Sequence, residues 1–259
     1  MREHRNPRDE GAEEEMKPAE PAGHERRAPG GRSEQRGPAD DHEGTNIDDC
    51  IARVRQGMRA MLRLGSAWYD VAQQVKAVTD RHTALGARII EFGGWLMPVQ
   101  YSGIIEEHRA VRSAAGLFDL SHMGELFVEG ADAGAALAAA LVSNPPALAV
   151  GRAQYSMICT PGGGIIDDLI VYRLGEERFL VVANASNAHI VSDTLVERLS
   201  GHRAVLDDRS LAMGLCAVQG PRSVEIVAPL TDIDVGGLRY YAIAEGDVAG
   251  IPALVARTG

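Results

Sequence analysis

The stretch Ile165-Ile166-Asp167-Asp168-Leu169-Ile170-Val171-Tyr172 places two neighbouring acids inside a run of branched aliphatic residues. Such a run predicts a β-strand, in which successive side chains point to opposite faces of the sheet. Asp167 and Asp168 therefore cannot share an environment, and we expect one to face solvent while the other points inward. Because a buried carboxylate without partners is costly, the inward acid is a candidate functional residue. The alternative is an edge strand with both acids in water.

Composition excludes several classes of function. The chain has 259 residues, is 45% hydrophobic and carries a formal charge of -10, which argues against a nucleic-acid surface. Cys50, Cys159 and Cys216 are odd in number and far apart, and the histidines show no metal-ligand spacing, so we expect neither a disulfide framework nor a metal site. No apolar stretch is long enough to span a membrane. These observations favour a cytoplasmic protein.

Three regions follow one another along the chain. Residues 1–45 contain no Ile, Leu, Val, Phe, Trp, Tyr or Cys and many charges, which predicts a disordered extension. Residues 46–82 carry apolar side chains at helical spacing and predict two amphipathic helices. The region 83–259 mixes strand and helix patterns and is predicted to be the folded domain.

The order of elements in the third region predicts the fold class. Gln154 to Thr160, the glycine-rich turn at 161–164, the aspartate strand and Arg178 to Asn184 follow each other as in an antiparallel meander. A single alternating strand is predicted from Leu117 to Val128. Helical stretches separate these strands irregularly, so we expect an α+β fold of mixed, mainly antiparallel sheets with packed helices.

Polar side chains gather around the second aspartate in this arrangement. Tyr155 lies on the preceding strand and Asn184 at the end of the following one, so both can flank Asp168, and Tyr172 shares its face further along the strand. A carboxylate, phenols and an amide on a sheet suit a flat heteroaromatic ligand with amine donors. They suit a phosphate less well, because no glycine-rich loop leads into a helix.

Six motifs at these positions resemble the aminomethyltransferase, or T-protein, family of the glycine cleavage system. They follow the family's order and spacing across residues 83 to 259, which makes the resemblance specific. The motifs are Phe92-Gly93-Gly94-Trp95-Leu96-Met97-Pro98, Glu107-His108-Arg109-Ala110-Val111-Arg112, Gly116-Leu117-Phe118-Asp119-Leu120-Ser121-His122-Met123-Gly124-Glu125, Gly163-Gly164 with the aspartate strand, Val218-Gln219-Gly220-Pro221 and Ala256-Arg257-Thr258-Gly259.

The resemblance implies a tetrahydrofolate-dependent enzyme. Family members transfer the methylene unit of the aminomethyl group on the lipoyl arm of H-protein to tetrahydrofolate, and release ammonia. Asp168 matches the family's catalytic aspartate, and we therefore expect it to be the inward acid. Met123, Tyr155, Tyr172 and Asn184 match positions that line the folate pocket of relatives together with Asp168.

Two alternatives stay open beside this interpretation. One is a folate-dependent relative that acts on one-carbon units from sarcosine or dimethylglycine, although no dinucleotide fingerprint precedes the domain. The other is a folate-binding fragment without catalysis, which exposure of Asp168 would favour. The family pattern continues beyond Gly259, so we expect a C-terminally truncated pocket that binds folate weakly and turns over poorly.

Overall fold

The computed structural model describes residues 79–92 and 94–259. The predicted extension at 1–45 and most of the predicted helical region at 46–82 lie outside these residues. Of the latter region only 79–82 are described, and they belong to the helical residues 79–84, here called α1. No helix in the described part of the chain is long and apolar enough to cross a membrane.

Eleven strands and four further α-helices follow α1 in the described residues. The strands are β1 (Arg88–Phe92), β2 (Trp95–Gln100), β3 (Gly116–Asp119), β4 (Gly124–Glu129), β5 (Arg152–Cys159), β6 (Ile165–Gly175), β7 (Arg178–Ala183), β8 (Val205–Asp208), β9 (Cys216–Gln219), β10 (Ala242–Val248) and β11 (Ile251–Arg257). The helices are α2 (Ile104–Ser113), α3 (Ala133–Ala140), α4 (Ala188–Leu199) and α5 (Ser223–Val227), with short 3-10 turns at Pro145–Ala147 and Ala228–Leu230.

A seven-stranded antiparallel sheet forms the centre of the domain. Its strand order is β11-β10-β5-β6-β7-β4-β8, and two small sheets pair β1 with β2 and β3 with β9. The predicted meander is confirmed, since β6 pairs with β5 on one side and with β7 on the other, both antiparallel. The predicted α+β class with mainly antiparallel sheets is also confirmed.

The two faces of this sheet are covered differently. One face packs on α3 and α4, and its core includes Leu126, Leu137, Leu169, Val181 and Leu195. This "helix face" buries the aliphatic half of each alternating strand, as the hydrophobic effect requires. The opposite face, the "open face", holds a smaller cluster, whose buried members are Phe127, Ala153, Tyr172, Leu180 and Ile243. Among the described residues, the open-face cluster contains no helical residue.

The single strand predicted from Leu117 to Val128 is wrong. The chain forms β3 and β4 instead, and these belong to different sheets. Between them the Asp119 carboxylate accepts the backbone N–H of Ser121 at 2.9 Å, and the Met123 N–H donates to the Leu120 carbonyl at 3.0 Å. This aspartate-capped turn ends the first strand, because the side chain offers the backbone an alternative to ladder hydrogen bonds.

Asp119 also fixes the start of the described chain. The His82 Nε2 lies 3.0 Å from the Asp119 carboxylate, and His82 Nδ1 lies 2.7 Å from the Tyr101 hydroxyl. Burial opposes ionisation of Asp119, but the hydrogen bonds from His82 and Ser121 outweigh it and lower the pKa of the carboxyl. These contacts tie α1 to the β2–α2 connection and to β3.

Candidate functional site

The two aspartates point to opposite faces of the strand as predicted, but the buried one is Asp167 and not Asp168. Asp167 is only 3% exposed and points to the helix face, whereas Asp168 is exposed on the open face. The expectation that Asp168 is the inward acid is therefore wrong. Parity alone leaves both assignments open, and the helices decide between them: α3 and α4 pack on the face that carries Asp167, Leu169 and Val171.

Two side chains hold the exposed carboxylate of Asp168. The Tyr155 hydroxyl donates to Oδ2 at 2.7 Å, and the Asn184 amide Nδ2 donates to Oδ1 at 3.1 Å. Asp168 pairs with Met157 across the β5–β6 ladder while Tyr155 pairs with Ile170, so the tyrosine reaches the carboxylate diagonally. The hydrogen bond to Asp168 raises the pKa of Tyr155, because it favours the protonated phenol. Each carboxylate oxygen keeps lone pairs for a further donor.

The buried neighbour Asp167 is held by donors only. Its Oδ2 accepts the backbone N–H of Asn184 at 2.9 Å, and its Oδ1 accepts the side-chain amides of Asn184 at 3.0 Å and Asn187 at 2.8 Å. Asn187 is the N-cap residue of α4, although its side chain makes no capping hydrogen bond, so the Asp167 carboxylate also lies beside the positive end of the helix dipole. A buried carboxylate with three donors is compensated in the way that burial demands.

Asn184 connects the two acids. It lies just beyond the end of β7 and starts the turn to α4, where the Asn187 N–H donates to its carbonyl at 3.0 Å. Its Nδ2 faces Asp167 Oδ1, the Asp168 carbonyl at 2.9 Å and Asp168 Oδ1. All three groups are acceptors, so the amide nitrogen, not the amide oxygen, must point to them.

The other two predicted site residues lie further away. Met123 immediately precedes β4, whose first residue Gly124 pairs with Ala183, so Met123 lies beside Asn184 at the same end of the sheet. Tyr172 lies on the open face as expected, but it is four residues from Asp168, about 13 Å along the strand. It is buried in the open-face cluster, and burial raises its pKa to about 12. The structure therefore brings Asp168, Tyr155 and Asn184 into contact, with Met123 adjacent and Tyr172 apart.

A second buried carboxyl group, that of Glu125, lies on the open face, unlike Asp167. Glu125 pairs with Val182, which pairs with Ile170, which pairs with Tyr155, so one row of side chains leads from Glu125 to the tyrosine. Glu125 is 2% exposed, and neither of its carboxyl oxygens has a hydrogen-bond partner among the described residues. Burial and the negative charge of Asp208 raise its pKa to about 8. The raised pKa favours the protonated form of Glu125 at neutral pH.

Sequence reasoning missed Asn187, Glu125 and the role of Asp167. The pair Asn184 and Asn187, spaced by three residues between a strand and a helix, was a usable signal, because asparagine side chains favour such turns and caps. Glu125 had only the weak signal of an acid within an alternating strand. In the described part of the chain, no three His, Cys, Asp or Glu side chains come together as a possible metal site.

Comparisons with known proteins identify the family of this chain. The family model described as the GCVT N-terminal domain matches residues 78–259. The aminomethyltransferase of Streptomyces avermitilis is 58% identical over 183 residues, which are 71% of this chain and 49% of that protein. That of Moorella thermoacetica is 50% identical over 179 residues, covering 69% and 49%.

A solved structure extends the comparison to the fold. The glycine cleavage system aminomethyltransferase T from Bartonella henselae matches with a TM-score of 0.60 and 35% identity, over 65% of this chain and 46% of that one. The chain thus spans about half the length of the aminomethyltransferases that it matches. Because the family model covers well over half of its residues, this chain belongs to the family of the GCVT N-terminal domain.

Proposed function

We propose that this chain supplies the aspartate-bearing part of the folate site in an aminomethyltransferase of the glycine cleavage system. The reaction transfers the methylene unit of S-aminomethyldihydrolipoyl H-protein to tetrahydrofolate and releases ammonia. The observation that carries the proposal is the Asp168 carboxylate, exposed on the open face and held by Tyr155 and Asn184. Relatives named aminomethyltransferase at 50–58% identity support the same assignment.

The geometry suggests what each group does. Tyr155 and Asn184 each donate to one oxygen of Asp168 and thereby fix the carboxylate plane. The remaining lone pairs can accept a hydrogen bond from N10 of tetrahydrofolate, which orients that amine and helps remove its proton as the nitrogen attacks the aminomethyl carbon. Bonds from that carbon to two folate nitrogens form, while its bonds to sulfur and to the amine break. The two hydrogens lost from folate nitrogens end on the lipoyl thiol and on ammonia.

The partners of this reaction belong to the same proposal. Tetrahydrofolate is the co-substrate, and lipoylated H-protein presents the aminomethyl group. A cytoplasmic location is part of the proposal as well, since three cysteines far apart in the sequence suit a reducing compartment. Nothing in the open-face geometry favours sarcosine or dimethylglycine as the one-carbon source over H-protein.

The test compares Asp168→Asn with the unsubstituted chain in a single-turnover assay of ammonia release, with aminomethylated H-protein and tetrahydrofolate. We expect a loss of about 100-fold or more in rate, because the acceptor of the amine proton is removed. The thermal unfolding midpoint should stay nearly constant, since Asp168 is exposed. Asp193→Asn, on the exposed side of α4, is the matched control and should keep the full rate.

A second candidate function rests on one observation. Asp168 is exposed in the described residues, which favours a folate-binding module without catalysis. That module would bind tetrahydrofolate, measured by quenching of protein fluorescence, and would release ammonia no faster than Asp168→Asn does. Absence of both binding and turnover would contradict both functions.

A further inference from the structure

We propose that Asp167 is a positioning residue of this site, which orients Asp168 through the side chain of Asn184. The inference rests on the proposed function, because it assumes that Asp168 acts on the substrate. It concerns a residue that the sequence leaves without a role, on the face of the sheet opposite to the one that carries Asp168.

The first step is the way in which Asp167 holds Asn184. The backbone N–H and the side-chain Nδ2 of Asn184 donate to the two different oxygens of the same carboxylate, at 2.9 and 3.0 Å. Two bonds from one residue to one planar acceptor fix both the backbone position and the side-chain torsion. Since Asp167 is 3% exposed, water does not compete for these bonds.

The second step is the way in which Asn184 holds Asp168. The same Nδ2 lies 2.9 Å from the Asp168 carbonyl and 3.1 Å from its Oδ1. An amide nitrogen has two hydrogens, so its three acceptors, Asp167 Oδ1 and the carbonyl and Oδ1 of Asp168, share them. If Asp167 no longer binds Asn184, the amide can turn away. Asp168 then keeps only the hydroxyl of Tyr155 and is free to rotate.

A purely structural role is the competing explanation. Asp167 also accepts a hydrogen bond from Asn187, the N-cap residue of α4, and this contact involves neither Asn184 nor Asp168. Asn187→Ala removes that contact and leaves the connection from Asp167 through Asn184 to Asp168 in place. It is therefore the matched control for Asp167→Asn, whose amide group can accept from Asn184 at one atom only.

The experiment measures kcat, KM for tetrahydrofolate and the thermal midpoint of both variants. A positioning role predicts that Asp167→Asn lowers kcat by about 10- to 100-fold with KM nearly constant, because a displaced reactive group costs rate more than binding. Asn187→Ala should lower the thermal midpoint and keep kcat. In a double-mutant cycle, adding Asn184→Ala to Asp167→Asn should cost little more than either change alone.

Equal kcat in Asp167→Asn and Asn187→Ala would overturn the inference, as would additive losses in the cycle. If Asp167→Asn does not fold, Asn184→Ala decides, since an unchanged kcat would show that nothing passes through this amide. A readout without turnover is the side-chain amide signal of Asn184 in a nitrogen–proton correlation spectrum. We expect its two protons to be distinct and protected in the unsubstituted chain and in Asp168→Asn, and averaged with solvent in Asp167→Asn.

These outcomes separate the inference from the proposed function. Full activity in Asp168→Asn would contradict the proposed function whatever the amide spectrum shows. Loss of activity in Asp168→Asn, together with an intact Asn184 signal in Asp167→Asn, would contradict the positioning role alone.

Discussion

Asp167 and Glu125 are both buried carboxyl groups in the central sheet, and they differ in what surrounds them. Asp167 lies on the helix face and receives three hydrogen bonds from Asn184 and Asn187. Glu125 lies on the open face, near the negative Asp208, and its oxygens have no partner among the described residues. A buried carboxyl group therefore has three hydrogen-bond donors at Asp167, whereas at Glu125 it has none among the described residues and its pKa is raised.

The difference between the two carboxyl groups follows from the segments that adjoin them, not from their depth of burial. Beside Asp167 a strand ends and a helix begins, and that junction presents free backbone and side-chain N–H groups. Beside Glu125 the neighbouring strand β8 brings Asp208. The Arg209 N–H donates to the Glu125 carbonyl, and the Glu125 N–H donates to the Ser210 hydroxyl oxygen, at 3.0 Å each. These two hydrogen bonds bind the main chain of Glu125 and leave its carboxyl oxygens without a partner among the described residues.

The largest expected effect comes from removing the satisfied acid. Asp167→Ala removes the acceptor of three hydrogen bonds at the junction of β7 and α4 and leaves the backbone N–H of Asn184 without its partner, so we expect a loss of about 4 kcal/mol in the free energy of unfolding. Urea denaturation at neutral pH measures it. A loss below about 1 kcal/mol would show that water or rearranged groups replace the carboxylate, and the comparison would fail.

The second largest expected effect is an increase in the free energy of unfolding, on replacing Glu125. The pKa of Glu125 is about 8 in the folded chain against an ordinary 4.5, so between these values the folded state holds a proton that the unfolded state has released. Stability therefore falls as pH rises from about 4.5 to about 8 and levels off above. Glu125→Gln removes this dependence, and we expect it to stabilise the fold by about 3 kcal/mol at pH 7 and hardly at all near pH 4.

Urea denaturation of both proteins across this pH range measures the Glu125 effect. A gain that is the same at both ends of the range would point to better packing of the amide instead of proton linkage. An equal loss at every pH would show that the Glu125 carboxyl has a partner in solution.

The smallest effect is expected at the outer end of the same strand. Glu129 is partly exposed and pairs with Arg178 at 3.1 Å, so Glu129→Gln should change the free energy of unfolding by less than about 1 kcal/mol. A pH-dependent change as large as that of Glu125→Gln would mean that the linkage belongs to β4 as a whole.

The fold was accessible to sequence reasoning where turn residues clearly separate the strand segments. The meander of β5, β6 and β7 was predicted from the order of three strand segments joined by turns at 161–164 and 175–177. The same reasoning failed between β3 and β4, where apolar residues continue across Asp119 and Ser121. The turn there depends on one side-chain hydrogen bond, which leaves no mark in the hydrophobic pattern.

The candidate site was partly accessible for the same reason. Order along a meander places Tyr155 and Asn184 on the neighbours of the strand that carries Asp168, and the structure brings the three together. It could not reveal that Asn184 binds both acids at once, or that Asn187 joins it, because these contacts depend on how the chain turns from β7 into α4. It also could not indicate that Tyr172 would be buried, since the open-face cluster is built from strands far apart in sequence.

The sequence by itself determined that Asp167 and Asp168 point to opposite faces of one strand, because the β-strand repeat of two is a property of the backbone. Only the tertiary structure decided which of them is buried. That choice depends on which face α3 and α4 cover, and their packing is set by apolar side chains from five strands at once. Asp167 is therefore enclosed and Asp168 is left in the open, where a ligand can reach it.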